Sequence, residues 1–141
     1  MAEEKYLLPY TGEQVEDRLE SPLPVALGGT GQTVTWENVT ITADTTNTAD
    51  FSANCRFSPY LRLVFLRGSF STTGQLNSNT WLSVATIPND YRPSTYNPVV
   101  TVDVPGGGTG LITRSNGIIN IRTLTNRAAG TAVNFSAWWY L

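Results

Sequence analysis

Val133-Asn134-Phe135-Ser136-Ala137-Trp138-Trp139-Tyr140-Leu141 alternates so that Val133, Phe135, Ala137, Trp139 and Leu141 fall on one side of an extended strand. That side is an unbroken core face. Asn134, Ser136, Trp138 and Tyr140 fall on the other, which starts polar and ends aromatic. Exposed Trp and Tyr are unfavourable unless another subunit or a ligand covers them. The stretch therefore predicts a half-buried β-strand with a second, outward use for its closing rings.

Upstream the same period of two recurs. Leu61–Phe70 (LRLVFLRGSF) sets Leu61, Leu63 and Phe65 on one face and Val64, Leu66 and Phe70 on the other, so both faces read as buried and one as a subunit contact. Trp81–Ile87 and Val99–Val104 are alternating or β-branched runs around the loop Pro88–Pro98, and Trp81 reads as a core residue. Leu111–Arg114 and Ile118–Leu124 flank Asn116-Gly117, a hairpin signal because a type I′ turn needs positive φ at both central residues. Val34, Trp36, Val39 and Ile41 read as a first strand interrupted by Glu37-Asn38, and 42–50 as a Thr/Asn-rich loop. Short antiparallel strands in a meander with frequent turns predict an all-β, antiparallel sandwich or barrel, jelly-roll-like, over residues 51–141. A head of that size has a marginal core, for which oligomerisation is the natural remedy.

The N-terminal part reads differently. Thr11 and Gln14 have the spacing of a capping box, Glu13, Glu16 and Asp17 suit the positive end of a helix, and Val15 and Leu19 share a face. A short helix within residues 1–20 has too few turns to persist alone, so it docks on a partner or bundles with copies of itself. Ser21–Gln32 (SPLPVALGGTGQ) holds two prolines and a Gly-Gly-Thr-Gly run, which marks a neck; residues 21–50 are read as neck plus first strand.

Charge and composition narrow the function. Of 11 acidic residues, those in the first twenty positions outnumber Lys5 and Arg18, which leaves the rest mildly basic through scattered arginines. A nucleic-acid partner is not expected from so dispersed an excess. Nothing is long and apolar enough to insert in a membrane, and the N-terminus has neither a net basic start nor an apolar signal core, so synthesis in the cytoplasm without export is expected. Cys55 is the single cysteine and reads as a small buried residue. The chain has no His, which removes Ser-His and Cys-His catalysis and His-ligated metals; no metal, cofactor or enzymatic activity is expected.

The blocks LRLVFLRGSFS, WLSVATIPNDYRPS, LITRSNGIINIRTL and FSAWWYL, in that order, resemble the C-terminal head domain of bacteriophage tail-fibre and baseplate receptor-binding proteins. In that family an Ile/Leu-Pro-x-x-Tyr-Arg-Pro-Ser segment, an Asn-Gly or Asp-Gly hairpin and a closing aromatic strand follow one another, as Ile87–Ser94, Asn116-Gly117 and Phe135–Tyr140 do here. LPVALGGTGQT (Leu23–Thr33) is similar to a motif that precedes β-structured regions of tail fibres, and KYLLPYTGEQVEDRL (Lys5–Leu19) resembles an N-terminal tag of phage structural proteins. The resemblance implies a homotrimer on the virion, anchored to another virion protein through the segment of Val15 and Leu19, whose heads recognise a host-surface saccharide or other receptor.

For the binding residues, the loop Asn89–Asn97 offers Asp90, Tyr91, Arg92 and Tyr96, of which Tyr91 and Arg92, with Pro93, read more strongly as a clamp that fixes the loop itself. Trp138 and Tyr140 are either ligand-binding rings or, together with Val64, Leu66 and Phe70, parts of a trimer interface. Arg114 and Arg122 straddle the hairpin within range of Asp103. Alternatives to a receptor-binding head are a non-adhesive structural or decoration fibre on capsid or tail, a glycan-degrading enzyme built on the few carboxyls, and a bacterial surface adhesin.

Overall fold

Alternating apolar side chains become a core only when two sheet faces meet, and the computed structural model, which describes residues 33–141, shows how they meet. Residues Thr35–Leu141 form one unit. The expected helix with Val15 and Leu19 and the Gly/Pro run of residues 21–32 lie outside the described residues.

Nine strands run in chain order: β1 (Glu37–Val39), β2 (Thr42–Ala43), β3 (Thr48–Ser58), β4 (Leu63–Thr72), β5 (Leu82–Thr86), β6 (Val99–Asp103), β7 (Gly108–Ile112), β8 (Ile118–Thr123) and β9 (Ala132–Tyr140). A 3₁₀ turn at Asn89–Tyr91 interrupts the β5–β6 connection. All pairings are antiparallel, in the order β1-β3-β4-β9-β6-β7-β8-β5-β2. The sheet curls into a half-barrel. Its corner is β6, whose Val99 and Val100 pair with β7 while Thr101–Asp103 pair with β9. The opposite edges are β1 and β2, joined only through Thr40 and Ile41, so the chain itself ties the two halves together.

The strand order, which local signals leave open between a meander and a Greek key, is not a simple meander: β9 lies between β4 and β6, and β5 between β8 and β2, so the chain passes between halves at β1–β2, β2–β3, β4–β5 and β8–β9. Local periodicity reports which face a residue takes and says nothing about which distant strand it joins. The segment read as a Thr/Asn loop supplies β2 and the start of β3, in the same sheet as the rest. A period-two reading misses β3 because a register shift between Ala49 and Ser52 breaks its alternation, with Asp50 at φ 51°.

The core lies between the halves. Val64, Leu66, Val133 and Trp139 from one side meet Val84, Ile87, Ile112, Ile119 and Ile121 from the other, all at 0 % exposure. Each such aliphatic side chain contributes about 1.5–3 kcal/mol of transfer free energy. Cys55 joins this layer at 3 % exposure, in a cross-strand row with Val39, Leu66 and Ala137. Burial pushes its thiol up to about 12, which keeps it a neutral packing group. Gly68 belongs to the core side as well: a β-carbon there would lie 2.5 Å from Cζ of Phe135, whose ring occupies the space that the missing side chain leaves.

The Asn116-Gly117 hairpin forms between β7 and β8, with a different turn from the type I′ expected. Only Gly117 has positive φ (71°). The loop is wider: the Gly117 amide donates to the Thr113 carbonyl at 2.7 Å and the Thr113 amide to the Ile118 carbonyl at 2.9 Å, while Oδ1 of Asn116 accepts from the Ile118 amide. Contacts from the β5–β6 loop open it. The Arg114 amide donates to Oδ1 of Asn97, its guanidinium donates to the Ser94 carbonyl, and Gly117 abuts the Arg92 side chain.

Trp81 is a second correction. It is 44 % exposed and precedes β5. A register shift between Ser83 and Ala85 makes Val84 and Ala85 both buried, which inverts the parity upstream and turns Trp81 outward. There Arg122 covers its ring, 4.8 Å from the centroid, and neither Arg122 nor Arg114 forms an ion pair with Asp103.

Candidate functional site

The loop residues selected from the sequence divide by role. Tyr91 turns its ring against Phe57 at 5.4 Å, and its carbonyl accepts from Nε1 of Trp139 at 2.8 Å. Arg92 donates through Nε to the Ile87 carbonyl at 3.0 Å and through Nη1 to Oδ1 of Asn89, and Pro93 is buried. These residues clamp the loop to β9 and to the β7–β8 hairpin, whose Gly117 carbonyl accepts from the Ile87 amide. Arg92 thus commits two of its donors to the loop itself. Asp90 and Tyr96 are exposed, Tyr96 at 46 %, and neither lines either of the two clefts described below.

The outward face of β1-β3-β4-β9-β6 is more informative. Residues opposite one another in antiparallel strands point to the same side, and the register sorts this face into rows. One row is Ser52–Ser69–Asn134–Asp103, and the next is Asn54–Arg67–Ser136–Thr101. The third is Asn38–Arg56–Phe65–Trp138, and beyond it Leu63 pairs with Tyr140. The face therefore passes from short polar side chains, through arginines, to bare aromatic rings.

Two clefts lie on it. Over the polar rows the short side chains leave a trough of about 780 Å³, lined among others by Asn54, Arg67, Asp103, Asn134 and Ser136. A smaller cleft of about 370 Å³ is lined by Trp36, Asn54, Arg56, Phe65 and Arg67. Asn54 and Arg67 line both, so the clefts are neighbours across a shared wall. In that wall Oδ1 of Asn54 accepts from Nε of Arg56 at 3.1 Å, which fixes one guanidinium against the strand.

The interface expected from the sequence is half corrected. Val64, Leu66 and Phe70 are 0–2 % exposed inside the chain's own core and cannot meet another subunit. On β4 the residue of the other parity that looks outward is Phe65, at 41 % exposure, and Leu61, in the turn before β4, is 39 % exposed. Both faces of an apolar run look alike in sequence, and only the direction of curl decides which is enclosed. Trp138 and Tyr140 do face outward, at 57 % and 54 % exposure, packed edge to face at 5.8 Å. The residues that sequence reasoning missed are Arg56 and Arg67. For Arg67 the signal was a charged side chain on the same parity as Phe65, an exposed ring of the same strand; Arg56 shares its parity in β3 with no aromatic ring and had no such signal.

No protein-family profile matches the chain, no curated protein is similar to it, and no solved structure matches it. Among the described residues no helix is long and apolar enough to cross a membrane.

Proposed function

We propose that the chain is a fibre protein of a bacteriophage virion, a homotrimer whose jelly-roll-like β head adheres to a saccharide on the host surface. The order of the sequence blocks quoted above supports the family. The observation that carries the binding role is the outward face of β3, β4 and β9. Phe65, Trp138 and Tyr140 stand half exposed on regular strands there, next to two clefts rich in hydrogen-bonding side chains. Rings presented on a rigid sheet serve either an interface or the C–H face of a sugar, and polar groups beside them select orientation. In this reading Trp138 and Tyr140 close the trimer and the clefts receive the ligand. The segment that holds Val15 and Leu19 joins the trimer to another virion protein, and the head works by binding, without catalysis.

Competition tests the reading. Purified protein added to host cells is expected to block adsorption of the parent phage in a dose-dependent way. A fibre that only decorates capsid or tail leaves adsorption unchanged at saturating protein, and that result overturns the adhesive role.

A further inference from the structure

The two clefts differ in charge. Arg56 and Arg67 line the smaller one and no carboxylate does among the described residues, whereas in the trough Asp103 offsets the shared Arg67. We infer that this face takes an acidic saccharide chain, with a carboxylate-bearing sugar held between Arg56 and Arg67 and the next sugar in the polar trough. This deepens the proposed adhesive function and rests on it.

Three features of the face carry the assignment. Arg56 pairs with Phe65 and Arg67 with Asn54 across β3 and β4, which makes the two arginines diagonal neighbours. Diagonal side chains on adjacent strands stand roughly 7–8 Å apart at the backbone. That gap admits one carboxylate, and each guanidinium presents a planar fork that matches its two oxygens. Phe65 and Trp36 line the same cleft at 41 % exposure each, so a pyranose can lay its C–H face on a ring while its acid group meets the arginines. In the trough Asp103 disfavours a second acid and accepts from hydroxyls, alongside Asn134 and Ser136. The face is thus polar in direction: acid sugar over β3 and β4, neutral sugar over β9 and β6.

The test immobilises oligosaccharides that carry uronate, sialate or pyruvyl-ketal groups, each beside its carboxyl-reduced and its phosphorylated counterpart, and measures binding of the full chain. At least one acidic chain is expected to bind, and reduction of its carboxyl weakens binding by about tenfold or more. Arg56→Ala and Arg67→Ala each weaken it similarly with an unchanged melting curve, Arg67→Lys retains part, and binding falls between about 50 and about 500 mM salt. Failure of the whole panel, equal binding of the reduced chains, or binding of the phosphorylated chains alone overturns the assignment. If Arg56→Ala/Arg67→Ala still blocks phage adsorption as the wild type does, the acidic-sugar site falls and the adhesive reading stands. If the wild type neither binds the panel nor blocks adsorption, both fall.

Discussion

Replacement of Trp139 by Phe separates a loop that is a clamp from a loop that is a ligand site. The indole is 0 % exposed and its Nε1 donates to the Tyr91 carbonyl at 2.8 Å, so one side chain both fills the core and ties the β5–β6 loop to β9. Phe keeps an aromatic ring and loses the second ring and the donor. The smaller ring costs about 1–2 kcal/mol in packing. The carbonyl left without its partner costs roughly 1–3 kcal/mol more. A loss near 3 kcal/mol moves a urea midpoint by about 2 M at a slope of about 1.5 kcal/mol per M. The assay is urea unfolding followed by far-ultraviolet circular dichroism, at one fixed chain concentration because association adds to apparent stability. Arg92→Ala weakens the same loop by removing the donor to the Ile87 carbonyl, so the double variant is expected to depart from additivity by at least about 0.5 kcal/mol. A loss under about 1 kcal/mol, or strict additivity, refutes the clamp.

Two further outcomes follow from the core. Gly68→Ala is expected to destabilise by about 1–3 kcal/mol, because the new β-carbon meets Cζ of Phe135 and the Ser52 carbonyl, and Phe135→Leu in the same chain recovers part of the loss; equal stability of Gly68→Ala and wild type in urea contradicts the packing described. The buried thiol of Cys55 keeps its proton up to about 12, whereas an unfolded thiol releases it near 9.0. The unfolded state therefore binds fewer protons between these values, and that stability is full below the lower one and is lost as pH rises toward the higher. Wild type is expected to lose more stability than Cys55→Ala between about pH 8 and about pH 10.5, by at most about 1.4 kcal/mol per pH unit, and parallel losses in the two proteins refute the burial argument.

How much of this could be read in advance varied with the range of the interaction. The closing strand was fully legible: alternation alone placed Phe135, Ala137 and Trp139 inward and Trp138 and Tyr140 outward. The β7–β8 hairpin was legible in place and not in turn type, because Asn97 and Ser94 of a distant loop hold Arg114 and widen it. Trp81 and β3 were misread for one shared reason, a bulge that shifts side-chain parity without a residue type that announces it. In β4 the alternation was right and the choice of inner face was not available, since Leu61–Phe70 offers apolar residues to both sides. The site suffered most from this. Arg56 and Arg67 acquire meaning only when β3 and β4 pair and set them beside Trp36 and Phe65, a juxtaposition made by register.

One chain leaves Trp138 and Tyr140 half bare, and the proposed trimer would cover them with other copies. Sedimentation equilibrium of the full chain at micromolar concentration measures this directly. A species of three 15.4 kDa chains is expected, which Trp138→Ser/Tyr140→Ser converts to folded single chains with unchanged circular dichroism. A wild-type chain that stays single and folded throughout that range contradicts it.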